Sequence, residues 1–184
     1  YFPVLIKLID AKDNLSIQVH PDNEYAKRVE HEFGKTEIWY VIDATDDAQL
    51  VYGFKNKISK EEFKKAIEEN TLLDVLNTVK VKKGDLFFIE AGTVHAIGKG
   101  VLIAEIQQNS NSTYRVYDYG RIGKDGKPRE LHIKKAVDVS VTEPPKYDIK
   151  PMGETVKADG YDSTLLTKCD LFTVNHYDVN EKLT

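Results

Sequence analysis

Apolar and polar positions alternate with a period of two through much of this chain, in short runs broken by Gly, Pro, Asn and Asp. Residues 2–10 are dominated by Phe, Val, Leu and Ile around one interior charge, Lys7, which predicts a largely buried strand. Asp13 and Asn14 turn it into residues 15–21, Leu-Ser-Ile-Gln-Val-His-Pro. Strand side chains point to opposite faces in turn, so Leu15, Ile17 and Val19 share one face and Ser16, Gln18 and His20 the other. Pro21 ends that strand. Asp22 caps a helix whose apolar spacing runs through Tyr25, Val29 and Phe33 until Gly34 stops it. Residues 36–42 and 48–54 read as strands, with Gly53 marking a bulge or bend in the second. Ser59-Lys60-Glu61-Glu62 has the form of a capping box, and Phe63, Ala66 and Ile67 follow at helical spacing. A second short helix covers 72–76, and both helices are expected to cover a sheet edge.

Strands resume near Val79, and Lys82-Lys83-Gly84-Asp85 is a turn. Residues 86–89 run apolar to the Ala91-Gly92 corner that precedes His95. Gly98-Lys99-Gly100 predicts a tight reversal into a paired strand over 101–107, where Glu105 and Gln107 share a face. Residues 112–119 are β-prone, with Arg115 and Tyr117 on one face. A polar turn at 124–127 leads to a short helix carrying Ile133, Ala136, Val137 and Ser140, and the paired prolines in 142–147 predict a linker. Beyond it only 171–179 reads as a strand. Many short strands and few helices predict an all-β barrel or jelly roll with short inserted helices.

Composition narrows the class. The chain of 184 residues, 41% hydrophobic and 30% charged, has the make-up of an ordinary globular protein with one sizeable core. No apolar run approaches the ~20 residues of a membrane span, and no leader-like segment opens the chain, so the expectation is a cytoplasmic protein without a membrane partner. A formal net charge of −4 gives no reason to expect nucleic acid, and an anionic substrate would need a local basic pocket. Cys169 is the single cysteine, which excludes an internal disulfide and a thiolate cluster. It reads as a small buried hydrophobe. Any metal must be held by nitrogen and oxygen.

Gln18 and His20, two residues apart on one strand face, can bond a single ion, although alone they describe a wet sheet face equally well. Two later residues change the balance: Glu37, which shares a face with Lys35 and Trp39, and His95. Together they complete a four-ligand set. Two imidazoles, a carboxylate and an amide oxygen suit one divalent ion such as zinc, with a position left for water or substrate, and iron, manganese or cobalt accept the same set. His31, His132 and His176 have no neighbours at ligand spacing and read as structural, as do Trp39 and the ten tyrosines.

Gly84, Gly92 and His95 stand at the spacing of the second conserved motif of the cupin superfamily, with Glu90 at the proline position. Gln18-Val19-His20 replaces the usual His-x-His, and Glu37 is delayed by the intervening helix. These departures point to one branch. Ser-Ile-Gln-Val-His-Pro-Asp, Gly-Lys-Thr-Glu-Ile-Trp-Tyr, Ala-Gly-Thr-Val-His-Ala-Ile and Gln-Gln-Asn-Ser-Asn-Ser-Thr-Tyr-Arg-Val-Tyr-Asp-Tyr resemble, in order, segments of type I mannose-6-phosphate isomerases. The resemblance covers about residues 5–137. It implies a cupin jelly roll, zinc held by Gln18, His20, Glu37 and His95, and conversion of mannose 6-phosphate to fructose 6-phosphate and back. It also implies strands outside this segment, and the abrupt apolar start and short polar end likewise read as a fragment trimmed at both ends. Residues 1–143 are expected to form the metal-binding domain, with a helical insertion at about 58–77, and 144–184 a linker and the start of a second β region.

Such an isomerisation removes a proton alpha to a carbonyl and returns it to the neighbouring carbon, so it needs a base, an acid, positive charge at the enediolate oxygens and a phosphate clamp. Arg115 is the candidate to stabilise the enediolate, and Glu105 and Lys35 to move protons or orient hydroxyls. By analogy with the family, Lys7, Ser16 and Arg121 hold the phosphate. The general base and the oligomeric state stay open. The alternatives are a non-catalytic metal-bound cupin module for sugar binding or regulation, and a cupin oxygenase using redox-active iron. Arg115 and Lys35 separate them, since a binding module has no need of proton-transfer and anion groups around an ion.

Overall fold

The computed structural model describes residues 2–123 and 125–181. In chain order its elements are β1 (Val4–Ala11), β2 (Ile17–Val19), α1 (Asn23–Val29), β3 (Glu37–Ala44), β4 (Gln49–Phe54), α2 (Lys60–Glu68), α3 (Leu72–Val75), β5 (Leu76–Lys80), β6 (Leu86–Ile89), β7 (His95–Ile97), β8 (Val101–Gln108), β9 (Tyr114–Tyr117), α4 (Ile133–Val139), β10 (Thr155–Ala158), β11 (Tyr161–Lys168) and β12 (Thr173–Val179). Three antiparallel sheets result, ordered β1-β8-β3-β6, β5-β4-β7-β2-β9 and β10-β11-β12. The first two face each other as the cupin-type jelly roll that the sequence resemblance implies.

Each face of these sheets is assigned by the period of two. Inward-pointing Trp39, Val41, Leu50, Tyr52, Phe87, Ile89, Val101 and Ile103 fill the space between the two large sheets. The outer face of the five-stranded sheet buries Val19, Val51, Phe54 and Val116 under Phe63 of α2, Leu72 of α3 and Ala136 of α4. The helices thus cover a sheet face, where an edge was expected. The outer face of the four-stranded sheet meets the third sheet through Ile38, Phe88 and Ile106 against Leu166, with Phe172 and Val174 packed alongside. Cys169 joins this contact but is only half-buried.

Several local expectations are met. The capping box is formed in both directions by Ser59 and Glu62. Asp22 caps α1 by accepting the Tyr25 amide at 2.7 Å. The bulge at Gly53 is seen as a register shift between Val51 and Phe54.

Others differ for identifiable reasons. β1 is not largely buried: it is an edge strand whose outer residues Ile6 and Leu8 lie exposed, because apolarity does not specify what covers it. Helix α1 ends at Val29, short of Gly34, and His31 takes the left-handed conformation just after it. Gly34 serves another purpose, since a Cβ there would lie 2.3 Å from the Asp22 carbonyl carbon. The reversal at 98–100 is not a hairpin. β7 pairs with β2 and β4 in one sheet, whereas β8 pairs with β1 and β3 in the other, so the turn carries the chain across the sandwich. After the prolines two further strands, β10 and β11, precede β12. Among the described residues no helix is long and apolar enough to cross a membrane.

Candidate metal centre

His20, Glu37 and His95 come from three strands or strand ends, and their ligand atoms all lie within 4.8 Å of one another. Register explains the meeting. Gln18 pairs with both His95 and Arg115, while on the facing sheet Glu37 pairs with Gln107 and Ile89. Two backbone close approaches set the positions. Gly34 lets the chain fold back on α1, where the Lys35 amide donates to the Pro21 carbonyl at 3.0 Å. Gly92, at φ +90°, turns the chain beneath the Val139 carbonyl, and its amide donates to the His20 carbonyl at 2.8 Å. A side chain at either glycine would push a ligand strand away.

Each histidine is oriented through its far nitrogen. His20 Nδ1 lies 3.0 Å from the Ser112 carbonyl and His95 Nδ1 2.8 Å from the Thr93 carbonyl. A carbonyl only accepts, so Nδ1 carries the proton in both rings and each Nε2 presents a lone pair. Those lone pairs face Glu37: His20 Nε2 is 3.5 Å from Oε2, and His95 Nε2 is 3.5 Å from Oε1. Gln18 Nε2 stands 3.4 Å from His95 Nε2, and a half-turn of the amide brings its oxygen to the same place. Acceptor thus meets acceptor in a buried site; the Lys35 ammonium stands against His20 Nε2 and Glu37 Oε2, but the side formed by His95 Nε2, Glu37 Oε1 and Gln18 has no cation among the described residues, an arrangement that calls for one. Neither Glu37 oxygen has a partner of hydrogen-bond geometry, although the Lys35 ammonium lies 2.9 Å from Oε2 as an ion pair. The donor set and the orphaned buried oxygens therefore fit a divalent ion bound by His20, Glu37 and His95, with Gln18 adjacent.

Burial pushes His20 down to about 4, outweighing the attraction of Glu37, and lowers His95 for the same first reason. Both imidazoles are neutral at pH 7, as metal ligands must be. Burial alone would raise Glu37, but its interactions with His20, which becomes cationic when protonated, and with the Lys35 ammonium override it and hold the carboxyl below its ordinary range.

The remaining sequence candidates divide. Lys35 belongs to the cluster: it is 5% exposed, and Nζ donates to His20 Nε2 at 3.2 Å. Glu105 is buried nearby on the Glu37 face, but both its oxygens are engaged, one by Lys7 Nζ at 2.7 Å and the other by Trp39 Nε1 at 3.1 Å. Lys7 also donates to Gln107. Arg115 shares its register position with Gln18, yet its Nη1 donates to the Glu130 carbonyl at 2.9 Å and its Nε is buried without a partner. Ser16 is buried beside Ile17, which pairs with Tyr117. Arg121 is bound to Asp118 and, through Nη1, to the Asn14 carbonyl at 2.7 Å. Sequence reasoning missed the Ser112 and Thr93 carbonyls, whose role no side chain signals, and the pairing of Asp118 with Arg129.

Comparison with known proteins places this geometry in context. The family model described as phosphomannose isomerase type I, catalytic domain, matches residues 1–71. Mannose-6-phosphate isomerase ManA of Bacillus subtilis is 45% identical over 180 residues, covering 97% of this chain and 56% of its own length. A mannose-6-phosphate isomerase of Streptococcus mutans is 43% identical over 182 residues, covering 97% and 55%. The chain thus spans little more than half the length of these relatives. A crystal structure of the Bacillus subtilis mannose 6-phosphate isomerase superposes with a TM-score of 0.90 at 41% identity, over 97% of this chain and 56% of that one. A zinc-bound mannose 6-phosphate isomerase, 17% identical, shares the fold at a TM-score of 0.66 over 93% of this chain and 62% of its own.

Proposed function

We propose that this chain belongs to the type I phosphomannose isomerases, and that it carries the metal-binding part of an enzyme interconverting mannose 6-phosphate and fructose 6-phosphate. The observation that carries the reading is the buried convergence of His20, Glu37 and His95 with the Lys35 ammonium against them. Zinc, held by these three and Gln18, is the proposed ion, since two imidazoles, a carboxylate and an amide match its preferences. When bound it supplies a Lewis acid at the reacting oxygens.

The reaction moves one proton from C2 of the aldose to C1 and another from O2 to O1, through an enediolate whose negative charge must be met as it develops. Lys35 holds a fixed positive charge beside the ligands, placed to orient a hydroxyl and to favour the anionic state. Arg115 pairs in register with Gln18, and its guanidinium, bonded to the Glu130 carbonyl, would offer donors to the same oxygens on turning toward the ligands. Glu105, pinned between Lys7 and Trp39, is suited to holding the arrangement or accepting a proton only after those bonds loosen. Ser16 and Arg121 mark the phosphate end, at the start of β2 and beyond the end of β9, while Lys7 is turned toward Glu105. Residues 1–143 are proposed as the domain carrying the site, with 144–184 as the beginning of another β region.

A coupled assay with mannose 6-phosphate on the full-length, metal-loaded protein tests this reading. Turnover that a chelator abolishes and zinc restores supports it. Metal binding without turnover would favour a non-catalytic sugar-binding module instead.

A further inference from the structure

Two side-chain amides tie the segment leading into Glu37 to the turn that follows His20. Gln108 is the last residue of β8, one position beyond the Glu37–Gln107 pair. Its backbone amide donates to the Thr36 carbonyl at 3.1 Å, as an antiparallel ladder requires. The return bond is different. The Thr36 amide donates to Gln108 Oε1 at 2.9 Å rather than to the Gln108 carbonyl, which accepts from Gln107 Nε2 at 2.8 Å. A buried side chain thus completes the rung beside a metal ligand.

The other end of that amide reaches across. Gln108 Nε2 donates to Asn23 Oδ1 at 3.1 Å, and the same oxygen accepts the Gly34 amide at 2.9 Å. Asn23 opens α1, three residues after His20, and Thr36 immediately precedes Glu37. Between the two contacts the Lys35 amide donates to the Pro21 carbonyl at 3.0 Å. Three successive amides are therefore fixed, the outer two by side chains.

Close packing does not hold this segment. Asn23, Thr36 and Gln108 line a cavity of about 540 Å³ together with Asp22, Glu90 and Asp170. An amide that lost its acceptor there would turn to that space, and the backbone carrying Lys35 and Glu37 would turn with it. The site leaves little room for such a movement. His20 Nε2 lies 3.5 Å from Glu37 Oε2, the Lys35 ammonium lies 2.9 Å from the same oxygen, and metal ligands tolerate errors of only about 0.2 Å.

We propose that Gln108 and Asn23 are positioning residues whose amide relay sets the separation of His20 and Glu37, and so the affinity of the centre for its divalent ion. The metal-centre reading supplies what this spacing serves. The relay itself stands apart from that reading.

The test uses the full-length protein and two readouts: Zn²⁺ affinity by competition with a chromophoric chelator, and hydrogen exchange of the Gly34 and Thr36 amides in metal-free protein. Gln108→Met keeps the length of the side chain and removes both of its bonds. It should weaken Zn²⁺ binding about tenfold or more and speed Thr36 exchange by a similar factor. Asn23→Leu should weaken Zn²⁺ binding likewise and release Gly34. Asn23→Asp keeps an acceptor for both donors and should stay within about twofold of wild type in each readout, a rescue that a role in packing alone would not produce. If Gln108→Met does not fold, the contrast between Asn23→Leu and Asn23→Asp decides the matter. Wild-type Zn²⁺ affinity in folded Gln108→Met would overturn the proposal, as would unchanged Thr36 exchange, or equal losses in the two Asn23 variants. A wild-type protein that takes up no Zn²⁺ removes the metal centre instead. The relay is then judged by exchange alone, standing if Gln108→Met releases Thr36 and falling if it does not.

Discussion

The Lys35 ammonium lies 2.9 Å from Glu37 Oε2 with both side chains almost wholly buried, and the same ammonium lies 3.2 Å from His20 Nε2. It is the resident positive charge of a site otherwise built from acceptors. Removing it would leave Glu37 buried against two lone pairs.

Lys35→Met should therefore destabilise the metal-free protein by about 3–5 kcal/mol, the cost of stranding one partner of a buried ion pair. A saturating divalent ion should restore part of that loss. Urea denaturation with and without chelator checks both statements, and a chelated variant as stable as wild type would refute the first.

The histidines set an acid limit. His20 titrates at about 4 when folded against an ordinary value of 6.5, so between these pH values the unfolded chain binds more protons than the folded one. Its contribution is complete above 6.5 and is lost as pH falls toward 4. Glu37, held below its ordinary 4.5, adds a second loss beneath that value. The urea midpoint of metal-free protein should fall steadily between pH 7 and 4, and His20→Gln should flatten the upper part of that curve.

Gly34→Ala should cost about 1–3 kcal/mol through overpacking, because its Cβ would sit 2.3 Å from the Asp22 carbonyl carbon, backbone that cannot yield as a side chain does. The displaced Lys35–Glu37 segment should also lower metal affinity. Thermal denaturation and metal titration read the two effects, and an affinity equal to wild type would show that this approach does not position the ligands.

Arg115→Lys keeps the charge and loses the fork. If Arg115 meets oxygens that become anionic only in the transition state, kcat and kcat/KM should drop together by roughly 100-fold, the scale of a lost oxyanion donor. A rise in KM at unchanged kcat would assign Arg115 to the phosphate instead.

The ligands were legible because each sits where local rules are strict: Gln18 and His20 on one face of a short strand, and His95 just past a glycine corner. What joins them was less so. Gly98-Lys99-Gly100 signals a reversal, but only the backbone of Gly98 against Gln49, where a Cβ would lie 1.9 Å from the carbonyl oxygen, belongs to the crossing between sheets. β10 escaped notice because Thr-Val-Lys-Ala is too short for its alternation to stand out and all four residues are exposed. Ile6 and Leu8 show the converse, apolar side chains that the described residues leave open. The Asp118–Arg129 pair spans eleven residues of turn-rich chain, a distance over which charge pattern has no preferred partner. Local chemistry thus reaches as far as a strand or a cap, and long-range pairing decides the rest.

Metal content tests the central claim most directly. Elemental analysis of gently purified protein should find about one divalent ion, predominantly zinc, per wild-type chain and almost none in folded His95→Ala. Equal metal in the two proteins would contradict the assignment of His20, Glu37 and His95 as a metal centre.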